Sequence, residues 1–361
     1  MRVDGTQYRT VDWEDGKLVL IDQPVLPHTF RQVHIDDHVV AAEAISTMVV
    51  RGAGAIGATG AYGLALATRQ APDAEFDTYV AAARDRLANT RPTAQNLFYG
   101  LTRVSDAIAA AGGGADPDGS RVAALAAAQA VADEDAAACE AIGRHGAPLI
   151  ADGAGVATHC NAGWLAFVDW GSALSPVFRA HRDGKAVRVF VDETRPRGQG
   201  ARLTAWELAG EGVEHAVIAD NAFGHLASHG EIQIVITGSD RVARNGDVAN
   251  KIGTFGRAAI ARRLGVAFYV ALPSTTIDPD CPTGADIPIE ERDGDEVRWT
   301  WGATEDGGFG RVRTVYAGCP VRNPAFDVTP ADLVDGLITE HGVFPASRAG
   351  VDAILRAAGR L

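Results

Sequence analysis

The second half of the chain alternates short apolar segments with helical ones, and this alternation limits the fold more than any other feature. The apolar segments are "GVATHC", "AVRVFVDE", "HAVIAD", "IQIVITGSD" and "VAFYVALP". Segments rich in valine and isoleucine, separated by helices, predict βαβ units and a parallel sheet. Ligands of such sheets bind outside the carboxyl ends of the strands, so the residues that follow each segment are the first candidates for a functional site.

Two of these strand ends carry side chains that suit acid–base chemistry. Cys160 ends the first strand. A cysteine is most often a small core residue, but a thiol at a strand end near a helix start can also be a reactive thiolate. Asp240 ends the fourth strand. It is either a helix cap or an ion-pair partner of Arg241, or else a general acid that partial burial keeps protonated.

A third candidate is Lys251, because the chain has only three lysines, the others being Lys17 and Lys185. The segment "NGDVANKIGT" predicts a helix capped by Asp247, with Asn250 and Lys251 in its first turn. A lysine at a helix N-terminus is unfavourable for the helix dipole. Its position therefore predicts that an anion, such as a phosphate or a sugar oxygen, binds there.

The first half, residues 1–146, is predicted to be a mainly helical domain. It begins with a β-hairpin, "VDWEDGKLVLID", whose turn is Asp15-Gly16. Four helical patterns follow, and the last is a long alanine-rich helix that ends near Gly146. Residues 147–361 are predicted to form a Rossmann-like domain, in which the segment 276–306 reads as an irregular, acidic surface excursion. The predicted fold class is therefore α/β.

A glycine-rich stretch, "VVRGAGAIGATGAYG", contains the G-x-G-x-x-G spacing of a dinucleotide-binding turn at Gly52, Gly54 and Gly57. Such a turn must follow a strand and open a helix, whereas a helical pattern precedes it here and no strand follows. NAD or FAD binding is therefore only weakly indicated. Two alternatives are close helix packing at Gly54, Gly57 and Gly60, and an anion-binding turn in which Arg51 joins the N–H groups of the next helix.

Composition excludes several other classes of protein. The net charge of −13 argues against a nucleic-acid-binding surface, and no apolar run is long enough to span a bilayer. Four cysteines without a C-x-x-C pair argue against a zinc site and a disulfide scaffold, so a cytoplasmic location is expected. The acidic, lysine-poor composition suggests a GC-rich genome together with adaptation to high salt.

Several segments, taken together, closely resemble the 5-methylthioribose-1-phosphate isomerases, in the superfamily that includes the regulatory subunits of translation initiation factor 2B. They are "VVRGAGAIGATG", "RPTAQNL", "THCNAG", "VDETRPRGQGARLTAWEL", "DNAFGHL", "GSDRVARNGDVANKIGT", "FYVALPSTTID", "IPIEER" and "NPAFDVTPADLV". They run from about residue 45 to residue 345. The resemblance implies a helical N-terminal domain, a Rossmann-like C-terminal domain without a nucleotide, a homodimer, and no metal or organic cofactor.

The resemblance also implies roles for individual residues. Cys160 matches the catalytic cysteine and Asp240 the catalytic acid. The implied substrate-binding residues are Arg51, Gly52, Ala53, Arg91, Gln199, Asn250 and Lys251, the first three of which match a phosphate-holding turn. The chain departs from the family pattern at four positions. Gly54 replaces a usual proline, which predicts a more flexible phosphate loop. Trp164, Gly198 and Ser239 replace other usual residues, and this leaves the identity of the substrate's 5-substituent open.

The implied reaction is the conversion of an aldose to a ketose. The 1-phosphate locks the sugar as a ring, so Asp240 would help to open it before hydrogen moves from C2 to C1. Cys160 would either act as a base through an enolate or stabilise charge during a hydride shift. Two alternatives are a ribose-1,5-bisphosphate isomerase and a non-catalytic initiation factor 2B-like regulatory subunit. The presence of both Cys160 and Asp240 argues against the second.

Overall fold

The first half of the chain is mainly helical, as predicted, in the computed structural model, which describes residues 1–92 and 94–361. A central helix is buried along almost its whole length, from Gly54 to Thr68, because alanine and glycine let the other helices pack closely around it. The five helices of this half are α1 (His38–Ser46), α2 (Ala53–Gln70), α3 (Phe76–Ala88), α4 (Gln95–Ala110) and α5 (Pro117–Gly146).

Short strands precede these helices, and they confirm the predicted hairpin. They are β1 (Arg2–Val3), β2 (Thr6–Gln7), β3 (Val11–Glu14), β4 (Lys17–Ile21) and β5 (Gln32–Ile35). Strands β3 and β4 pair antiparallel across Asp15 and Gly16, which have positive φ angles of 48° and 78°. Two positive φ angles are the signature of a type I′ turn, whose twist matches that of the strands it joins.

The second half is built on a seven-stranded sheet. Its strands, with those of the smaller sheets, are β6 (Gly155–Thr158), β7 (Arg188–Asp192), β8 (Glu214–Ile218), β9 (Ile234–Thr237), β10 (Arg241–Val242), β11 (Val248–Lys251), β12 (Ala267–Ala271), β13 (Trp299–Ala303), β14 (Phe309–Arg313), β15 (Phe326–Thr329), β16 (Gly336–Thr339) and β17 (Gly342–Phe344). The large sheet has the order β17-β16-β12-β9-β6-β7-β8, and every pair is parallel except β16–β17.

Helices cover both faces of this sheet, as its continuously apolar strands require. The described helices of this half are α6 (Ser175–Arg182), α7 (Ala205–Gly210), α8 (Phe223–Ser228), α9 (Thr254–Leu264), α10 (Asp295–Arg298), which precedes β13, and α11 (Arg348–Ala357). Helices α6 and α7 pack on one face, against side chains such as Val189 and Val191. Helices α8, α9 and α11 pack on the other face, against Phe190 and Phe268. Successive residues of β7 thus point to opposite sides of the sheet.

Two sequence predictions were wrong in this half. Lys251 does not lie in the first turn of a helix but ends strand β11, which pairs antiparallel with β10 and β15. Asp247 is not a helix cap, since its carboxylate accepts the backbone N–H groups of Gly284 and Ala331. The segment 276–306 is not irregular throughout, because it contains α10 and β13, and β13 pairs with β14 in an exposed hairpin.

Helix α5 ends at Gly146 and the large sheet begins at Gly155, on either side of the predicted domain boundary. Side chains from the start of the chain, including Ile21 and Leu26, nevertheless pack in the core beneath the sheet. A division into domains of residues 1–146 and 147–361 therefore stays a prediction. Among the described residues, no helix combines the length and the apolar character needed to cross a membrane.

Candidate active site

One cavity brings together all nine residues that the sequence singled out. It lies between the N-terminus of α2 and the carboxyl edge of the large sheet. The nine lining residues are Arg51, Gly52, Ala53, Arg91, Cys160, Gln199, Asp240, Asn250 and Lys251. They come from segments that are as much as two hundred residues apart, so the fold rather than local sequence assembles the site. Their roles remain predictions, but their common location is a finding.

Cys160 lies two residues after the end of β6 and has an unusual backbone conformation. Its φ angle is 67°, in the left-handed region that costs a side-chain-bearing residue about 1 kcal/mol or more. Two threonines hold this conformation. The backbone N–H of Cys160 donates to Oγ1 of Thr194 at 2.9 Å, and Oγ1 of Thr204 donates to its carbonyl oxygen at 2.7 Å. The free thiol is partly exposed at the cavity.

His159 is buried beside Cys160, at the centre of an ionic cluster. Its Nδ1 lies 2.8 Å from Oδ2 of Asp192, and its Nε2 lies 2.8 Å from the carbonyl oxygen of Ile252. With Asp220, these side chains form a group whose ligand atoms are close enough to hold a metal ion. However, the guanidinium of Arg257 lies 2.5 Å from the same Asp192 oxygen, and its charge opposes a cation there. The cluster is better explained as a network that supports the end of β6.

The turn before α2 has the chemistry of an anion site. Gly52 has a φ angle of 99°, and a Cβ atom there would overlap the backbone of Ala166, so only glycine fits. The N–H groups of the following residues open α2 and have no partners within the helix. Arg51 donates from one guanidinium nitrogen to Oδ1 and to the carbonyl oxygen of Asn161, at 2.7 and 2.8 Å. Its Nε is buried without a hydrogen-bond partner.

Lys251, the last residue of β11, also lines the cavity. Its side chain is almost fully buried, and Nζ donates to the carbonyl oxygen of Ala325 at 2.8 Å and lies over the ring of Phe326. Burial lowers the pKa of this ammonium group to about 8, and the nearby charge of Arg292 acts in the same direction. The described part of the chain gives Lys251 no carboxylate within ion-pair distance.

Two further lining residues are polar groups placed to meet a ligand. Asp240 follows β9, and its backbone N–H donates to Ala249 on β11, which fixes the carboxylate near Lys251. Gln199 is buried, and its Oε1 has no hydrogen-bond partner. A buried oxygen without a partner is costly unless a ligand supplies a donor. A sugar hydroxyl would be such a donor.

Sequence reasoning missed Arg292, which also lines the cavity. It belongs to the segment 276–306, together with Ile287, Pro288 and Ile289, so this segment covers the cavity instead of lying only on the surface. The motif "IPIEER" contains these four residues and was the available signal, although it suggested no role. Arg292 lies 3.2 Å from Glu290, which is also 3.8 Å from Arg91.

The cavity is therefore strongly cationic in an acidic chain. Its lining carries one carboxylate, Asp240, and five cations, Arg51, Arg91, Arg241, Lys251 and Arg292. Arg241 pairs with Asp278 at 3.3 Å, and Glu290 lies behind Arg91 and Arg292. Burial lowers the pKa of Arg51 and of Arg91, which reflects the cost of holding these charges without full compensation. The lining also includes apolar residues, among them Met48, Ile56, Ala94, Ala162, Ala166, Phe167 and Phe326. The cavity thus suits an anion that carries an apolar group.

The comparison with protein families decides the assignment. The model of the initiation factor 2 subunit family matches residues 49–346. This chain belongs to that family. The protein from Methylobacterium nodulans named methylthioribose-1-phosphate isomerase is 53% identical over 97% of both chains. The one of the same name from Methylorubrum extorquens is 52% identical, again over 97% of both.

Solved structures of family members share the architecture. The 5-methylthioribose 1-phosphate isomerase from Pyrococcus horikoshii superposes with a TM-score of 0.86 at 38% identity, over 98% of this chain and 97% of that one. The delta subunit of translation initiation factor eIF-2B from A. fulgidus gives a TM-score of 0.82 at 39% identity, over 97% of this chain and 100% of that one. The fold is therefore common to proteins with both kinds of name.

The structure places the departures from the isomerase pattern differently from expectation. Gly54 lies inside α2, against the carboxylate of Asp135 and the ring of Phe167, so it belongs to a packed helix and not to a flexible phosphate loop. Trp164 is buried against Trp206 and does not line the cavity. Gly198 also lies outside the cavity lining. Ser239 does line it, so this position alone among the three can bear directly on the substrate.

The glycines of the misleading dinucleotide pattern serve helix packing in this family member. A Cβ atom on Gly57 would lie 2.8 Å from the carbonyl oxygen of Asn96, and one on Gly60 would overlap the side chain of Leu97. The packing interpretation is therefore confirmed for α2. The anion-binding interpretation concerns Arg51 and the residues just before the helix, so it stays a prediction that does not conflict with packing at Gly57 and Gly60.

Proposed function

We propose that this chain converts 5-methylthioribose 1-phosphate to 5-methylthioribulose 1-phosphate. The observation that carries the proposal is the cavity itself, in which Cys160 and Asp240 face five buried or half-buried cations. Relatives that carry this enzyme name match nearly the whole chain at more than half identity. The reaction moves hydrogen within one molecule, so it needs no second substrate.

The residues divide the chemistry as follows. The turn of Arg51, Gly52 and Ala53, with Arg91 and Lys251, binds the phosphate and the negative charge that develops during the reaction. Asp240 donates a proton that opens the ring, and Cys160 acts on the hydrogen at C2, which moves to C1. Gln199 and Asn250 orient the sugar by hydrogen bonds. The bond between C1 and the ring oxygen breaks, and that oxygen becomes a hydroxyl by taking a proton. The hydrogen moves from C2 to C1, the C2 hydroxyl loses its proton and becomes a carbonyl, and the phosphate stays on the C1 oxygen, so atoms and electrons balance.

The charges of the cavity favour the methylthio substrate over ribose 1,5-bisphosphate. The five lining cations exceed the carboxylates of Asp240, Glu290 and Asp278 by two charges, which one phosphate dianion compensates, whereas a second phosphate would need a further cation. Neighbouring arginines already have partners, since Arg197 pairs with Glu296 at 2.9 Å and Arg202 donates to backbone carbonyl oxygens. The apolar lining residues, including Met48 and Phe167, suit a thioether.

An assay of the purified protein with both sugar phosphates tests the assignment. Turnover of the methylthio substrate is expected, and C160S and D240N should each lower kcat by about 100-fold or more. C319S is the matched control, because Cys319 is exposed and distant from the cavity lining. Turnover of the bisphosphate alone would establish the second candidate. No turnover of either substrate would favour the regulatory-subunit alternative.

The route of the hydrogen is a separate question, and both routes remain open. Proton transfer through an enolate exchanges the migrating hydrogen with solvent, whereas a hydride shift keeps it within the molecule. The reaction is therefore run in D2O, and the ketose is examined for deuterium at C1 by mass spectrometry. We expect substantial incorporation if Cys160 is the base. Substantial incorporation would exclude a pure hydride shift, whereas product without deuterium would contradict a base that exchanges its proton with solvent.

We further propose that the protein is a cytoplasmic homodimer with an acidic surface adapted to high salt. The dimer proposal is supported by three exposed apolar side chains on α9, Phe255, Ile260 and Leu264. The salt proposal is supported by the net charge of −13 and by the scarcity of lysine. The cytoplasmic location is supported by the unpaired thiols, which suit a reducing compartment.

A further inference from the structure

We infer that the segment Gly200–Gly210, a π-helical turn followed by α7, positions the thiol of Cys160 and the guanidinium of Arg51. It does so through two side chains, Thr204 and Glu207. Neither side chain lines the cavity. Thr204 acts on Cys160, whereas Glu207 acts on Arg51 through Asn161. The inference rests on the proposed isomerase function for its kinetic readout, and it also makes predictions that need no substrate.

Thr204 fixes the catalytic thiol through the backbone. The threonine is fully buried, and its Oγ1 donates to the carbonyl oxygen of Cys160 at 2.7 Å. The Oγ1 atom also accepts from Nδ2 of Asn161 at 3.2 Å. On the other side, Thr194 accepts the N–H of Cys160. The left-handed conformation of Cys160 persists because both of its backbone groups are held, and this conformation sets the direction of the thiol.

Glu207 fixes the loop that follows Cys160. Its carboxylate is buried and accepts three N–H groups, from Nδ2 of Asn161 at 2.8 Å, from Trp164 at 2.9 Å and from Leu165 at 3.2 Å. A Cβ atom on Gly163 would overlap this carboxylate, so the loop is folded directly around it. Burial raises the pKa of Glu207 to about 7, which shows the cost of placing a carboxyl group here.

The orientation of Asn161 transmits this effect to Arg51. A carboxylate only accepts hydrogen bonds, so the amide nitrogen of Asn161 must face Glu207 and its oxygen must face the opposite way. That oxygen, Oδ1, accepts from Arg51 at 2.7 Å. A flipped amide would set an NH2 group against the guanidinium, donor against donor. Glu207 thereby keeps Arg51 in the orientation that leaves its buried Nε free for an anion.

The π-helical turn gives these side chains their spacing. Gln199 precedes the turn and lines the cavity, Thr204 ends the turn, and Glu207 follows one helical turn later. A Cβ atom on Gly200 would overlap the carbonyl oxygen of Asp192, so the turn sits directly on the end of β7. π-helical turns are rare and frequently occur at functional sites. Here one π-helical turn joins Gln199, which lines the cavity, to Thr204 and Glu207. These two side chains support Cys160 and Arg51.

Steady-state kinetics of E207Q and T204V provide the first test. Arg51 binds phosphate equally in the ground state and the transition state, so E207Q should raise KM by about ten-fold with little change in kcat. Cys160 acts only during the reaction, so T204V should lower kcat by about ten-fold with little change in KM. T204S keeps the hydroxyl and should restore kcat. A209S, on the exposed side of α7, is the control.

A chemical test needs no turnover. In a C319S background, Cys160 is the thiol that iodoacetamide reaches, because Cys139 and Cys281 are buried. The held backbone of Cys160 directs its thiol into the cavity, so a displaced thiol in T204V should be alkylated at a rate that differs several-fold from the wild type. Inorganic phosphate should protect the thiol, and E207Q should need about ten-fold more phosphate for the same protection.

The outcomes separate the inference from the proposed function. A wild-type protein without isomerase turnover overturns the function, while alkylation and phosphate protection still test the two side chains. Wild-type KM and phosphate protection in E207Q overturn the role of Glu207, and wild-type kcat and alkylation in T204V overturn that of Thr204. Circular dichroism checks folding. If E207Q fails to fold, N161A removes the same link to Arg51, and an unchanged KM there is equally decisive against Glu207.

Discussion

Lys251 gives the clearest pH-dependent prediction at the scale of single residues, because burial lowers the pKa of its ammonium group to about 8. Below that pH the group is charged and binds a phosphate dianion, and above it the charge is lost. KM should therefore be nearly constant below about pH 7, reach about twice that value near pH 8, and rise at higher pH by up to about ten-fold per pH unit. Initial rates measured from pH 7 to pH 9.5 provide the test.

K251M is the matched variant for this measurement. It removes the charge at every pH, so its KM should be raised already at pH 7 and should not depend on pH over the same range. A wild-type KM that stays flat to pH 9.5 would show that another cation, such as Arg292, binds the phosphate alone. Ionisation of the substrate phosphate is complete before pH 8, so it does not produce the same rise.

The sequence predicted the nine residues of the cavity because their identities and neighbours form recognisable motifs, as with Cys160 in "THCNAG". It could not predict Arg292, because that residue reaches the cavity only through the path of the covering segment. Thr204 and Glu207 were hidden for a related reason. A buried threonine and a buried glutamate become informative only when their partners are known, and these partners lie more than forty residues away.

At the scale of elements, the packing of α2 against α4 depends on the absence of side chains. A Cβ atom on Gly100 would lie 2.5 Å from the carbonyl oxygen of Gly57, a contact between two backbones that cannot move apart easily. We expect G100A to lower the free energy of unfolding by about 1–3 kcal/mol through overpacking. Thermal and urea unfolding, followed by circular dichroism, measure this change.

G210A is the control for this substitution. Gly210 ends α7 and is exposed, and a methyl group added there would have no neighbour closer than 4.0 Å. Alanine restricts the unfolded chain and favours the helix, so G210A should leave the free energy of unfolding unchanged or raise it by up to about 1 kcal/mol. Equal destabilisation by both substitutions would mean that close packing of α2 and α4 is not the cause.

The predicted strands of the large sheet were confirmed, whereas the segment around Lys251 was assigned to the wrong element. The reason is the range of the contacts involved. Local residues in "VANKIGTFGRAA" favour a helix, but Val248–Lys251 pairs with Phe326–Thr329, far along the chain. Gly253, with a φ angle of 104°, then separates the strand from the helix that starts at Thr254. Long-range pairing of this kind leaves no local signal.

At the scale of the whole molecule, the net charge of −13 predicts that stability depends on salt. Repulsion among surface carboxylates falls as the Debye length shortens from about 30 Å at 0.01 M to about 8 Å at 0.15 M salt. The melting temperature should therefore rise by several degrees over this range of sodium chloride. An effect confined to molar salt would come instead from general exclusion of ions, and a melting temperature independent of salt would remove the proposed adaptation.

The surface of α9 leads to a prediction about assembly. Ile260 and Leu264 are one helical turn apart and both about 40% exposed, and Ile260 lies beside Gly224 of helix α8. Exposed apolar side chains grouped in this way are typical of interfaces between subunits.

We expect the wild-type protein to be a dimer and I260E/L264E to be a folded monomer in light scattering after size exclusion. V122E changes a more exposed apolar residue on α5 and should leave the dimer intact. A monomeric wild type, or a double variant that still dimerises, would place the interface elsewhere or exclude it.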